Sequence, residues 1–166
     1  MSQVVLEHDT SELEERLNWT DIRDADRGKV QETIESAFRE ALVPDYFDQM
    51  HRQNALVCFV DGYKSLGVFI PQLYHVVTLA THKNFAGKRR GERVLRGILA
   101  KFGKFNLRSK EGREPANTIY RSIADDSLPI NSIDGISYNF YWKNHSPWEV
   151  AIARSYAESQ PSHFKR

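Results

Sequence analysis

Between the β-branched run LYHVVTLAT and a helix-periodic stretch lies HKNFAGKRRGERVLRGILAKF, in which Gly87 and Gly91 are set among Lys88, Arg89 and Arg90. A glycine-bearing turn that leads from a strand into a helix leaves backbone N–H groups without carbonyl partners at the positive end of the helix dipole. That arrangement suits a phosphate or diphosphate, and the basic side chains add charge-assisted donors. The spacing is neither a Walker A loop, which needs Gly-Lys followed by Ser or Thr, nor the G-x-G-x-x-G of dinucleotide-binding proteins. Two plainer readings stand beside it: a solvated basic turn whose glycines serve only the backbone, and a basic face for nucleic acid. The second lacks the interleaved aromatics that stack on single strands and any companion DNA-binding motif.

Such residues act only if a scaffold positions them. The chain has 166 residues, 40% apolar and 27% charged. That is enough to bury one core, and we read 1–166 as a single domain with the first ~20 residues as an extension. The formal net charge of +1 gives no global field for a polyanion, so nucleic acid is not the expected partner. Cys58 is the single cysteine; it sits in the apolar run ALVCFV and is expected to be a buried small hydrophobe rather than a reactive thiol. No apolar run approaches the ~20 residues of a membrane span. The acidic amino-terminal stretch MSQVVLEHDTSELEERL has neither a signal-peptide apolar region nor a transit-peptide composition, so a cytoplasmic location is expected. The six histidines are dispersed, with no His-x-x-x-His pair and no cysteine partner, so no metal is expected.

The pattern predicts the following order. RGKVQETIESAFREAL places Val30, Ile34, Phe38 and Leu42 at helical spacing, and a short helix follows at PDYFDQM. ALVCFV and SLGVFIP flank Asp61-Gly62 as a hairpin, with LYHVVTLAT as a third strand. In the next helix Val94, Leu95, Ile98, Leu99 and Phe102 share one side. Gly97 inside it costs about 1 kcal/mol relative to alanine, which points to close packing against a sheet or a ligand. KFNLRS reads as a strand, ANTIYRSIA as a helix and ISYNFYW as a strand. Ser146 and Glu149 have capping-box spacing, with Pro147 at the first helical position. The fold class is α/β (α+β) with a mixed sheet.

Downstream, LRSKEGREPANTIYRSIADDS resembles the "WRSR…N…N-x-WYF…DGS" segment of the acetyltransferase domain of vertebrate-like N-acetylglutamate synthases and bifunctional N-acetylglutamate synthase/kinases, a branch of the GNAT superfamily. The family spacing holds without a gap from Gly91 to Arg108. FYWKNHSPWEVAIARSYAESQPSHF is similar to the closing "FFWFG…LP-x-SF", and Asp61 to Tyr63 to the "EGY" turn. The resemblance covers nearly the whole chain and corresponds to the acetyltransferase domain without the kinase domain. It implies a GNAT fold, acetyl-CoA as co-substrate and no metal, with a small molecule as the other substrate. A homodimer and a separate amino-acid kinase chain are the protein partners it allows.

It also assigns residues. The superfamily pattern Arg/Gln-x-x-Gly-x-Gly/Ala falls on Asn84 to Arg89, so Ala86, Gly87, Lys88, Arg89, Arg90 and Gly91 would bind the cofactor. Arg89 stands where a small residue is usual, and would either crowd the diphosphate or swing outward. Strand N–H groups near Leu79 and Thr81 would polarise the acetyl carbonyl. Arg108 matches the substrate-binding arginine, whose fork suits a carboxylate; Lys110 stands for the second arginine, Asn117 for the substrate-contacting asparagine. Tyr120 matches the tyrosine near the CoA sulfur, a general acid with a reference pKa near ~10. Each also has a plain reading: a strand-end charge for Arg108, a packing residue for Tyr120. His75 and His82 are candidate general bases on chemistry alone.

The departures are Thr78 where the family has a substrate lysine, Leu107 where it has tryptophan, and an insertion, EGREP, between Lys110 and Asn117. The expected function is therefore N-acetyl transfer from acetyl-CoA to a small amine, an amino acid such as glutamate by the resemblance. The alternatives are a different amine acceptor, or a degenerate domain that binds CoA or a partner without turnover.

Overall fold

The computed structural model describes residues 17–87 and 89–165. The chain order is β1 (Asn18–Asp21), α1 (Arg27–Phe38), α2 (Tyr46–Arg52), β2 (Leu56–Val60), β3 (Ser65–Ile70), β4 (His75–Thr81), α3 (Arg90–Phe102), β5 (Phe105–Lys110), α4 (Ala116–Ile123), β6 (Asp126–Asn131), β7 (Ser137–Lys143) and α5 (Pro147–Ser159). One seven-stranded sheet runs β1-β2-β3-β4-β5-β7-β6. Every neighbouring pair is antiparallel except β4 with β5.

Alternation along the strands sends side chains to two cores. Cys58 and Val60 join Val94, Leu95 and Ile98 of α3 and Tyr120 and Ile123 of α4 on one face. Val57, Leu66 and Val68 meet Val30 and Ile34 of α1 and Tyr46 and Met50 of α2 on the other. α5 covers β6 and β7 through Ala153 and Ala157 against Ile130 and Phe140. As the sequence predicts, Cys58 is fully buried, and its thiol is pushed up to about 12 by burial. Gly97 is explained by packing: a Cβ there would sit 3.1 Å from three atoms of the Leu17 side chain.

One expectation needs correction, and two strands are present that the sequence pattern does not announce. The first helix stops at Phe38 rather than running to Leu42, because Arg39 turns left-handed (φ 55°); Leu42 instead forms a bridge with Phe164. LNWTDIRDAD contains a strand, β1, recruited by pairing Trp19 with Cys58. DSLPIN is a strand, β6, although it holds Pro129; it lies on the sheet edge, where a missing N–H is tolerated. The capping box on α5 is complete in both directions, Glu149 N to Ser146 Oγ at 3.2 Å and Ser146 N to Glu149 Oε1 at 2.9 Å.

Two irregularities open the sheet. β3 pairs Val68 with Thr78 but Phe69 with Val76, so Val77 is an extra residue that bends β4. The parallel pairing of β4 with β5 is confined to His75 with Asn106 and Val76 with Leu107. Beyond Val76 the two strands diverge, and the β5-facing edge of β4 pairs with no strand among the described residues.

Candidate active site

The divergence forms a cleft of about 920 Å³, in the range that small ligands and cofactors occupy. Its closed end is pinned by His75 and Asn106. Asn106 donates its backbone N–H to Tyr74 O (2.8 Å) and its amide to Leu73 O (2.8 Å), so its Oδ1 faces His75 Nδ1 at 2.7 Å, which donates to it. His75 is buried, and that burial drives it down to about 4. It holds the strands together where they begin to part and does not line the cleft, which removes it as a base. His82, the other histidine candidate, is also away from the lining: its Nδ1 accepts from Asn84 N at 3.2 Å and caps a short 3-10 turn, Lys83–Phe85.

One wall of the cleft is built from backbone. Gly87 has φ +91°, a conformation that side-chain-bearing residues rarely adopt. Its chain neighbours aside, no described residue lies within 4 Å of where its Cβ would be. Arg89 follows in left-handed geometry (φ 56°) as the N-cap of the 13-residue helix α3, with no side-chain cap. The N–H groups of Gly87, Arg90 and Gly91 find no acceptor among the described residues. Gly91 packs its Cα side against Thr81, 3.4 Å from the position of an added Cβ. Ala86, Gly87, Arg89, Arg90 and Gly91 line the cleft together with Leu79 and Thr81 of β4; Lys88 lies outside the described residues.

Arg89 and Arg90 are turned to other tasks. Arg89 is 74% exposed and pairs with Glu92 at 2.6 Å, so it swings out of the turn rather than crowding it. Arg90 binds Asp61 through Nε (2.9 Å) and Phe85 O through Nη1 (2.7 Å), lashing the turn to the β2–β3 loop. Burial raises Glu92, but hydrogen bonds from Arg89 and Arg96 outweigh it and hold the carboxyl below its ordinary value. Among the described residues, the turn's free donors are therefore main-chain amides.

The opposite wall is built from side chains. Arg108 lines the cleft, yet its guanidinium donates to Ala157 O (2.7 Å), Gln160 O (2.6 Å) and Pro161 O (2.9 Å) and stacks 4.2 Å from the Tyr138 ring centroid. It closes the C-terminal end of α5. Asn117 is buried and does not line the cleft. Its Nδ2 donates to Lys110 O (3.1 Å), and its Oδ1 accepts from Tyr141 Oη (3.0 Å). Lys110 is an exposed side chain at the cleft, and Thr78 lines it with its hydroxyl 2.7 Å from Tyr46 Oη. Tyr120 lines the cleft edge-on to Tyr141, with centroids 5.6 Å apart. No described residue hydrogen-bonds its hydroxyl. Burial pushes this phenol up to about 12, with the Arg113 charge opposing.

Sequence reasoning missed three cleft residues. Ser109 is 5% exposed, and its Oγ is buried without a partner among the described residues. His163 lines the cleft from the C-terminal segment, edge-on to Tyr46 at 5.4 Å; burial first, then the Arg108 charge, bring it down to about 4. Arg113 arrives on the EGREP insertion. The C-terminal segment reaches the cleft because Val43 N and Lys165 N bond to His163 O and Ala41 O, at 2.9 and 2.8 Å. No local pattern in PSHFK announces that long-range pairing.

The sequence matches no protein-family model and no curated protein. Solved structures match the fold. They include the ribosomal-protein-S18-alanine N-acetyltransferase of Escherichia coli, with TM-score 0.57 at 9% identity over 79% of this chain and 97% of that one. A protein of Pyrococcus horikoshii OT3 has TM-score 0.56 at 14% identity over 78% of this chain and 99% of that one. A GNAT-family acetyltransferase of Bacillus cereus ATCC 10987 has TM-score 0.51 at 10% identity over 76% and 96%. The architecture, a mixed seven-stranded sheet flanked by helices, is the GNAT acetyltransferase fold.

Proposed function

We propose that this chain is an N-acetyltransferase that takes its acetyl group from acetyl-CoA and delivers it to a small primary amine, an amino acid such as glutamate in the manner of N-acetylglutamate synthases. The observation that carries the reading is that amides at Gly87, Arg90 and Gly91, free of acceptors among the described residues, belong to residues lining the same cleft as the edge of β4 that no described strand pairs. The residues fit the cofactor. Gly87 leaves open space where a side chain would stand, and the start of α3 offers dipole and amides to a diphosphate. An acyl thioester supplies a carbonyl carbon open to attack by an amine and a thiol as leaving group.

The chain's own residues then divide the work. Amides on the β4 edge near Leu79 and Thr81 would stabilise negative charge developing on the carbonyl oxygen. The Tyr120 phenol, held protonated across the physiological range by burial, would donate its proton to the leaving sulfur. His163, neutral at pH 7, would accept a proton from the incoming amine.

A second reading, a domain that binds CoA without turnover, is favoured by one fact: Arg108 and Asn117, assigned by resemblance to the substrate, are engaged within the protein. Thiol release from acetyl-CoA across an amino-acid panel, with mass spectrometry of the product and calorimetry of CoA binding, separates the readings. Acetylated product supports transfer. CoA binding with no thiol release on any acceptor supports the second reading, and no CoA binding ends both.

A further inference from the structure

The EGREP segment builds a rigid turn at the cleft mouth. Arg113 N donates to Lys110 O at 3.1 Å, Asn117 N donates to Arg113 O at 3.0 Å, and the Asn117 side chain bonds Lys110 O at 3.1 Å. Gly112, with φ +82°, permits the reversal. Asn117 thus braces the turn that carries Arg113. The Arg113 guanidinium lies 4.5 Å from the Phe38 ring centroid, and Phe38 packs on Phe164 at 4.8 Å. Stacking on a ring face fixes the plane of the guanidinium while leaving its N–H edge unused.

Most arginines around the cleft have partners: Arg89 and Arg90 have carboxylates, and Arg108 has three carbonyls. Arg113 differs. No carboxylate lies within 4.0 Å of it among the described residues, and no side chain or carbonyl accepts from its guanidinium. Yet it lines the cleft, and its charge reaches the Tyr120 phenol. Lys110 and Lys165 line the same cleft, whose lining carboxylates are Glu40 and Glu92, the latter already paired with Arg89 and Arg96. Beside them Ser109 Oγ is buried without a partner. A pre-oriented fork, unpaired and next to the phenol, is built for a planar anion.

We infer that Arg113 is the specificity-determining residue of the acceptor subsite, binding a carboxylate of the amine acceptor through the guanidinium edge that Phe38 leaves free. This rests on the acetyl-transfer reading above and goes beyond it by assigning acceptor choice to the inserted turn. Arg113 acts on the acceptor and not on the cofactor, whose proposed amides lie on the other wall.

The test is calorimetry and steady-state kinetics on the full chain with L-glutamate, its α-amide and L-glutamine, the calorimetry done with CoA present. One of the two amides should bind more weakly than glutamate, by roughly 10- to 100-fold, the worth of a charge-assisted hydrogen bond. Arg113→Gln should abolish that ratio, raising KM for glutamate more than KM for the amide and leaving CoA affinity near wild type. Arg113→Lys, which keeps the charge and loses the fork, should fall between. The inference is overturned if the wild type does not distinguish glutamate from either amide, or if Arg113→Gln weakens all three equally, as a merely structural role would. Loss of CoA binding by the wild type would strike the acetyl-transfer reading instead.

Discussion

The two walls of the cleft solve the problem of binding in opposite ways. On the β4–α3 side the donors are main-chain amides, exposed because a strand loses its neighbour at Val76 and a helix starts without a cap at Arg89. On the β5–α4 side the donors are side chains, and several of them bind the protein itself: Arg108 closes α5 and Asn117 braces a turn. Backbone amides at a helix start have no partner within the helix and remain for a ligand. A long polar side chain finds whatever acceptor the fold brings near, and burial makes it costly to leave that acceptor unmet.

The sharpest way to break this contrast is at Arg108. Removing a guanidinium bound to three carbonyls leaves the end of α5 open, so Arg108→Ala should lower stability by about 3 kcal/mol in urea unfolding. If the variant keeps its stability and loses only acceptor affinity, Arg108 belongs to the ligand and the contrast fails. Next comes the phenol between the walls. Tyr120→Phe should cut kcat by about 100-fold while CoA affinity and KM stay close to wild type; equal kcat in both proteins would return Tyr120 to a packing role.

On the backbone wall, Gly87→Val places a β-branched residue at φ +91°. The strain, about 1–3 kcal/mol, should be relieved by reshaping the turn, weakening CoA binding by roughly 10- to 100-fold. An unchanged dissociation constant would remove the cradle. The smallest effect is at the other end of α5, where Glu149 accepts from Lys104 at 2.6 Å and closes the capping box. The Lys104 hydrogen bond, then that of Ser146, hold this carboxyl at about 2, against an ordinary 4.5. A depressed carboxyl contributes stability that is present above pH 4.5 and is lost as pH falls through about 2. Glu149→Gln should therefore cost under about 1 kcal/mol near pH 7 and nothing near pH 2, read from thermal unfolding across that range. A cost that grows in acid would reverse the sign and refute the assignment.

How far the sequence alone reaches follows the same division. Periodicity and caps depend on neighbours within a few residues, so α3, the capped α5 and the strand order from ALVCFV through LYHVVTLAT were legible, as was the glycine turn that leads into α3, because a helix start after a glycine turn is a local event. Helix α1 was overextended, since the left-handed stop at Arg39 is favoured by the pairing of Leu42 with Phe164, more than a hundred residues away. β1 and β6 carry weak patterns and exist as strands because the sheet supplies their hydrogen bonds.

The local chemistry of NFAGKRRGE was therefore determined by residue type and order: a positive-φ glycine, a helix start and unpaired amides follow from covalent geometry and need no distant partner. Which polar side chains reach the cleft was decided by tertiary structure. His75 became a pin, Arg108 and Asn117 became braces, and His163, Ser109 and Arg113 came to line the cleft, because partners far apart in the chain compete for each donor and only the folded arrangement selects among them.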